Sequence, residues 1–125
     1  MTARAATRPG GSPSRLLYSL PAMSLIETRP SPIHATGVFA KRAIASGAFI
    51  GRFAGRRTDR QTDHTLWVEV GEEVRGYEGT GRLRYLNHSR SPNAEFEGRD
   101  LYALRRIRAG EEITIDYGPD WADTP

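Results

Sequence analysis

Residues 23–125 never sustain an apolar stripe at helical spacing for three turns. They break instead into short runs rich in β-branched and aromatic side chains, each stopped by Gly, Pro, Ser or Asn. Such punctuation excludes a helical bundle, because each run is too short for a stable helix and well sized for a strand. The strands predicted on this basis are 25–28, 38–44, 49–53, 66–70, 94–97, 101–105 and 113–117. Residues 94–104 read as a hairpin, with Glu97-Gly98-Arg99-Asp100 as its turn and glycine supplying the unusual backbone angle. The expected fold class is mainly β, in several small sheets.

One pattern occurs twice at a fixed offset. Phe39-Ala40-Lys41-Arg42-Ala43-Ile44-Ala45-Ser46-Gly47-Ala48-Phe49-Ile50 aligns with Tyr102-Ala103-Leu104-Arg105-Arg106-Ile107-Arg108-Ala109-Gly110-Glu111-Glu112-Ile113. Both copies read as strand, buried Ile, glycine turn, strand. Two copies are too few for a solenoid, so the repeat predicts one local geometry used twice.

With 125 residues the chain has room for one domain and one core. Residues 1–22 are rich in Ala, Arg, Thr, Ser, Pro and Gly and are expected to be a disordered, basic extension, with the domain at 23–125. Arg4, Arg8 and Arg15, with no acid beside them, account for the whole net charge of +3. The domain itself is formally neutral, so a nucleic-acid surface rests on the tail alone. There are no cysteines, which removes disulfides, thiolate nucleophiles and Cys-based zinc sites. His34, His64 and His88 do not form a metal-ligand spacing, and no metal is expected. No run approaches the ~20 apolar residues of a membrane helix, and no secretory signal is seen; the expected compartment is the cytoplasm or the nucleoid.

The chemistry concentrates in two stretches. Arg84-Tyr85-Leu86-Asn87-His88-Ser89-Arg90-Ser91-Pro92-Asn93 sets polar residues directly after an apolar pair, and Pro92 blocks regular pairing. Its backbone groups need partners beyond an ordinary ladder. Gly110-Glu111-Glu112-Ile113-Thr114-Ile115-Asp116-Tyr117-Gly118 is a strand ending in a tyrosine before glycine.

These stretches resemble the paired signatures of the SET domain. His34-Ala35-Thr36-Gly37-Val38-Phe39-Ala40 resembles that family's first motif, and Phe53-Ala54-Gly55 its second, all in the expected order. The resemblance implies a β-clip-like fold of small sheets with a C-terminal pseudoknot, which would set 87–93 against 113–117. It implies transfer of a methyl group from S-adenosylmethionine to a lysine of a protein substrate. Tyr117 would stand at the reaction centre, orienting the amine rather than acting as a strong base, since a phenol titrates near ~10. Asn87, the backbone of His88 and the turn Ala35-Thr36-Gly37 would hold the cofactor. Arg84 would neutralise the cofactor carboxylate or pair with an acid of the Glu72-Glu73 turn. Phe53, Tyr85 and Ile115 would line the lysine channel, and Trp121 would close over the cofactor. A partner subunit, as in a homodimer, is the alternative way to complete the site.

Three positions depart from the family pattern. Ala35 stands where the first motif has a glycine, tolerable if its backbone is ordinary. Phe53 replaces a tyrosine, and Ile115 stands where Tyr or Phe is frequent, so the channel loses hydroxyls and di- or trimethylation becomes the expectation. Ala35, Phe53 and the short stretch after Gly118 support a rival reading, a catalytically silent SET-like module that binds protein or nucleic acid.

Overall fold

In the computed structural model, residues 1–6 and 24–118 are described. Trp121 and residues 7–23 lie outside them. The elements run β1 (Thr2–Ala6), β2 (Ile26–Pro30), β3 (Thr36–Ala40), β4 (Phe49–Arg52), β5 (Gly55–Thr58), β6 (Thr65–Val70), β7 (Glu73–Gly79), a 3₁₀ turn (Arg82–Tyr85), β8 (Asn87–His88), β9 (Ala94–Glu97), β10 (Asp100–Ala103) and β11 (Glu112–Ile115). They form a seven-stranded sheet of order β4-β10-β9-β1-β6-β7-β5 and a four-stranded sheet of order β2-β3-β11-β8.

The strand alternation buries one face of each sheet. Val38, Ile44, Phe53, Leu66, Leu86, Leu101, Ile107 and Ile113 are fully enclosed and form a single core. The predicted hairpin is present, with Glu97 opposite Asp100 and Gly98 at φ 61 in the two-residue loop. The β6–β7 hairpin is built the same way, Val70 opposite Glu73 and Gly71 at φ 62. Positive φ at the first loop residue matches the right-handed strand twist, and glycine reaches it without strain.

The repeated pattern becomes reciprocal hydrogen bonding. Ile44 and Ile107 exchange N–H···O bonds of 2.8 and 2.9 Å across an isolated bridge. Gly47 N–H donates to Ala103 O at 2.8 Å, and Gly110 N–H donates to Ala40 O at 2.7 Å. Ala103 N–H donates to Ala48 O at 2.9 Å, and Ala40 N–H donates to Glu111 O at 3.0 Å. Each copy therefore satisfies the other, which ties β3–β11 to β4–β10 around one core.

Two expectations change. Residue 44 does not extend β3, which ends at Ala40, because the chain turns there and Ile44 makes the lone bridge instead. Disorder across 1–22 does not describe Thr2–Ala6. Those residues lie between two strands, in register with β6 from Thr2↔Thr65 to Ala6↔Glu69 and meeting β9 at Ala6↔Glu97. Composition argued for disorder because it counts only what a segment can bury. Among its described side chains, β1 buries the Ala3 and Ala5 methyls, about 0.8 kcal/mol each. Its backbone ladder, the Met1 ammonium on Asp63 O and His64 Nδ1, and Arg4 beside Glu69 supply the rest.

Candidate active site

The site assembles where β11 is threaded into the four-stranded sheet between β3 and β8. Glu112 and Ile113 pair antiparallel with Phe39 and Val38, while Thr114 and Ile115 pair parallel with Asn87 and His88. Ser89 N–H donates to Ile115 O at 2.9 Å, extending that short ladder. Asn93 closes the loop's other end. Its Oδ1 accepts Thr114 N–H at 2.9 Å, and its Nδ2 donates to Glu112 O at 2.8 Å. The irregular run 87–93 thus finds in β11 the partners that its own sequence denies it, in the place that the family resemblance implied.

Asn87 is the hub of the polar contacts. Its Nδ2 donates to His34 O at 3.1 Å, Thr36 O at 3.4 Å and Glu112 Oε2 at 2.9 Å. Ser31 Oγ donates to the Glu112 carboxylate at 2.7 and 2.9 Å, and Ser31 N–H to Ala35 O at 2.7 Å. The Ala35-Thr36-Gly37 turn, the Asn-His loop and β11 are therefore brought to one point, with Glu112 at its centre. Gly37 is there because nothing larger fits: a Cβ would stand 2.3 Å from Glu112 Oε2 and 2.9 Å from Ser31 Cβ.

Ala35 is exposed, and its φ of 40 is the one positive value at a non-glycine position among the described residues. The expectation of an ordinary backbone fails here. The turn requires left-handed geometry, and alanine holds it at a cost of order 1 kcal/mol.

Tyr117 is buried. Its hydroxyl donates to Leu86 O, its N–H donates to His88 Nδ1 at 3.0 Å, and its ring lies 5.2 Å from the imidazole. The His88 side chain thereby positions the backbone at Tyr117. Burial first, then the negative charge of Glu112, hold the Tyr117 phenol well above its ordinary value. It remains protonated at neutral pH, so it serves as a fixed hydroxyl and not as a base. Asp116 is exposed and caps Gly118 N–H at 2.8 Å.

A second group collects around the 3₁₀ turn. The Arg84 guanidinium donates to Thr80 O and Gly81 O at 2.8 Å each and to Tyr85 Oη at 2.5 Å, and stacks 4.2 Å from the Tyr85 ring. Pairing with Glu72 or Glu73 is overturned, since Glu73 binds Arg75 at 3.0 Å and Arg84 is taken up by carbonyls close by in sequence. Tyr85 packs edge-on against His64 at 5.6 Å. Phe53 is fully buried and meets Phe96 at 5.9 Å, edge to face. Phe96 and Ile115 share a cleft of about 290 Å³ that also includes Asp116, Glu95, Ala5 and Arg4. Of the three residues expected in the channel, Ile115 lines this cleft, Phe53 stands behind its wall and Tyr85 lies with Arg84.

Sequence reasoning missed three contributors, Ser31, Asn93 and Glu112. No sequence signal marked the role of Glu112: Thr114 is buried along with Ile113 and Ile115, so β11 has no solvent face, and only the fold reveals that. The acceptors gathered there, the Glu112 carboxylate with the His34 and Thr36 carbonyls, receive Asn87 Nδ2 and Ser31 Oγ and leave negative charge beside the exposed turn.

Comparison with known proteins agrees with this geometry. The SET domain family model matches residues 35–118. The chain is 31% identical over 107 residues to a histone-lysine N-methyltransferase, H3 lysine-36 specific, of Eremothecium gossypii, covering 67% of this chain and 16% of that protein. The Yarrowia lipolytica protein of the same description is 29% identical over 107 residues, covering 67% and 14%. A variant-silencing SET domain-containing protein of Plasmodium falciparum is 31% identical over 110 residues, covering 65% and 4%. The chain spans less than a fifth of the length of each of these relatives.

Proposed function

We propose, from the premise that the chain belongs to the SET-domain family, that it transfers a methyl group from S-adenosylmethionine to a lysine side chain of a protein. The observation that carries this reading is Tyr117. Its protonated hydroxyl is pinned to the Leu86 carbonyl, one residue from the Asn87–His88 ladder and one residue from the cleft wall at Asp116.

S-adenosylmethionine supplies, when bound, an electrophilic methyl group on a positively charged sulfur. Glu112 and the carbonyls of His34 and Thr36 favour positive charge beside the Ala35 turn, and Asn87 holds that turn to β8. Tyr117 orients the incoming amine, next in sequence to the cleft that Ile115 and Phe96 line with apolar surface. The sulfonium charge of the bound cofactor would disfavour the ammonium form of lysine, whose reference pKa is ~10.4, and so favour the neutral nucleophile. The residues contribute orientation more than proton transfer.

The test is label transfer from S-adenosylmethionine to a lysine-containing peptide library. Tyr117→Phe is expected to slow transfer by about 10²-fold or more while calorimetric cofactor binding is retained. Equal transfer by both proteins would end the reading. Ala35 at φ 40 favours a second reading, a silent module, because strain lies in the turn expected to approach the cofactor. Absence of heat on titration with S-adenosylmethionine, recovered in Ala35→Gly, would decide for it.

A further inference from the structure

Every strand pair in the seven-stranded sheet is antiparallel except those of β1, which runs parallel to both neighbours. Without β1 that sheet separates into two antiparallel pieces, β4-β10-β9 and β6-β7-β5, with the edges of β6 and β9 facing each other across a slot one strand wide. Two facing edges with unpaired N–H and C=O groups form a receptor for an extended segment.

β1 is weakly matched to this place by its own composition. Thr-Ala-Arg-Ala-Ala has no aromatic residue and one β-branched residue, so along its length it is held by ladder bonds that any extended peptide can replace, with the Met1 ammonium on Asp63 O and His64 Nδ1 as an anchor at one end. The two inward positions, Ala3 and Ala5, are 2% and 5% exposed, so the slot admits small side chains on that face. Arg4 points outward, 3.6 Å from Glu69, and the adjoining cleft carries Glu95 and Asp116. An acidic rim favours a basic segment. Arg4 and Ala5 border the cleft that ends at Ile115 and Asp116, next to Tyr117.

We propose that the slot between β6 and β9 receives an extended, basic polypeptide substrate, and that β1 is its intrachain occupant, with Ala5 standing at the mouth of the cleft where a substrate presents its lysine. The word substrate rests on the methyl-transfer reading above; the slot and its self-occlusion do not. Alanine offers no nitrogen, so β1 occludes the slot without being consumed. Substrate must displace it, and apparent affinity falls by the fraction of molecules in which the slot is closed.

The probe is a fluorescein-labelled peptide copying residues 1–8 with Ala5→Lys, followed by anisotropy against the full chain without cofactor. Ala3→Asp puts a carboxylate at the buried face and is expected to expel β1 and tighten peptide binding by about tenfold or more. Arg4→Glu, which opposes Glu69 at an exposed position and spares the core, is expected to tighten it about threefold. Unchanged binding to folded Arg4→Glu overturns the proposal, and that variant decides alone if Ala3→Asp fails to fold. In a second arm, full-chain Ala5→Lys is incubated with S-adenosylmethionine and its N-terminal peptide is weighed. Transfer forms the N–C bond from the neutral amine as the C–S bond breaks, the electron pair goes to sulfur, and the product ammonium releases a proton to solvent. Tighter peptide binding without methylation keeps the slot and ends the methyl-transfer reading. Methylation of the free peptide at one rate by the wild type and Ala3→Asp keeps that reading and ends self-occlusion.

Discussion

β11 and β1 are both short strands inserted between two partners, yet different physics holds them. β11 buries Ile113 and Ile115, and each of its polar edges is met by a committed side chain: Asn93 at Thr114, Asn87 and Ser31 at Glu112. Among its described side chains, β1 buries the methyls of Ala3 and Ala5 and exposes Arg4. A strand locked by buried, directional hydrogen bonds has one register and suits a reaction centre. A strand held by ladder bonds, an exposed ion pair and the Met1 ammonium on Asp63 O and His64 Nδ1 is exchangeable and suits a binding slot.

The sharpest way to break this contrast is to unlock β11. Asn93→Ala removes a buried acceptor and donor together, leaving Thr114 N–H and Glu112 O unmatched. It should destabilise the protein by about 3 kcal/mol in chemical denaturation; a loss below 1 kcal/mol would mean that β11 is no more committed than β1. Gly37→Ala forces the Glu112 carboxylate away from a Cβ that would lie 2.3 Å from it, and should cost about 2 kcal/mol. Ala35→Gly relieves the left-handed alanine and should raise stability by about 1 kcal/mol, read as a higher denaturation midpoint; no gain would place the strain elsewhere.

The smallest effect is expected from pH. Arg105, 2.6 Å away, is the main cause that holds Glu111 at about 2, below its ordinary 4.5. Because the folded value is the lower one, this contribution is complete above pH 4.5 and is lost as pH falls toward 2. The Arg105 side chain is 55% exposed, so solvent screening limits the loss to about 1 kcal/mol. Arg105→Gln should flatten that part of the stability profile.

The strands with strong side-chain patterns were legible, β9 to the residue and β4, β6 and β11 nearly so. β5, β7 and β8 were not. Glu73-Val74-Arg75-Gly76-Tyr77-Glu78-Gly79 is too charged and glycine-rich to announce a strand, and becomes one because β6 lies beside it; Gly76 leaves room for the Trp67 ring. β8 is two residues long and exists only as the partner of β11. In the site, the meeting of Asn87, the Ala35-Thr36-Gly37 turn and β11 was readable from ordered motifs. The Arg84 contacts, the place of Phe53 behind Phe96 and the centrality of Glu112 were not, because each depends on which of several polar or aromatic neighbours arrives.

By itself the amino-acid order determined the β class, the hairpin at Gly98, the doubled strand–Ile–Gly–strand geometry and the family to which the chain belongs. These depend on alternation, glycine placement and motif order, all written locally. Only the tertiary structure decided that Thr2–Ala6 is a strand, that Ala35 is strained and that Glu112 joins three segments. Long-range pairing can override a weak local preference, and a buried polar group takes its meaning from the partners that close around it.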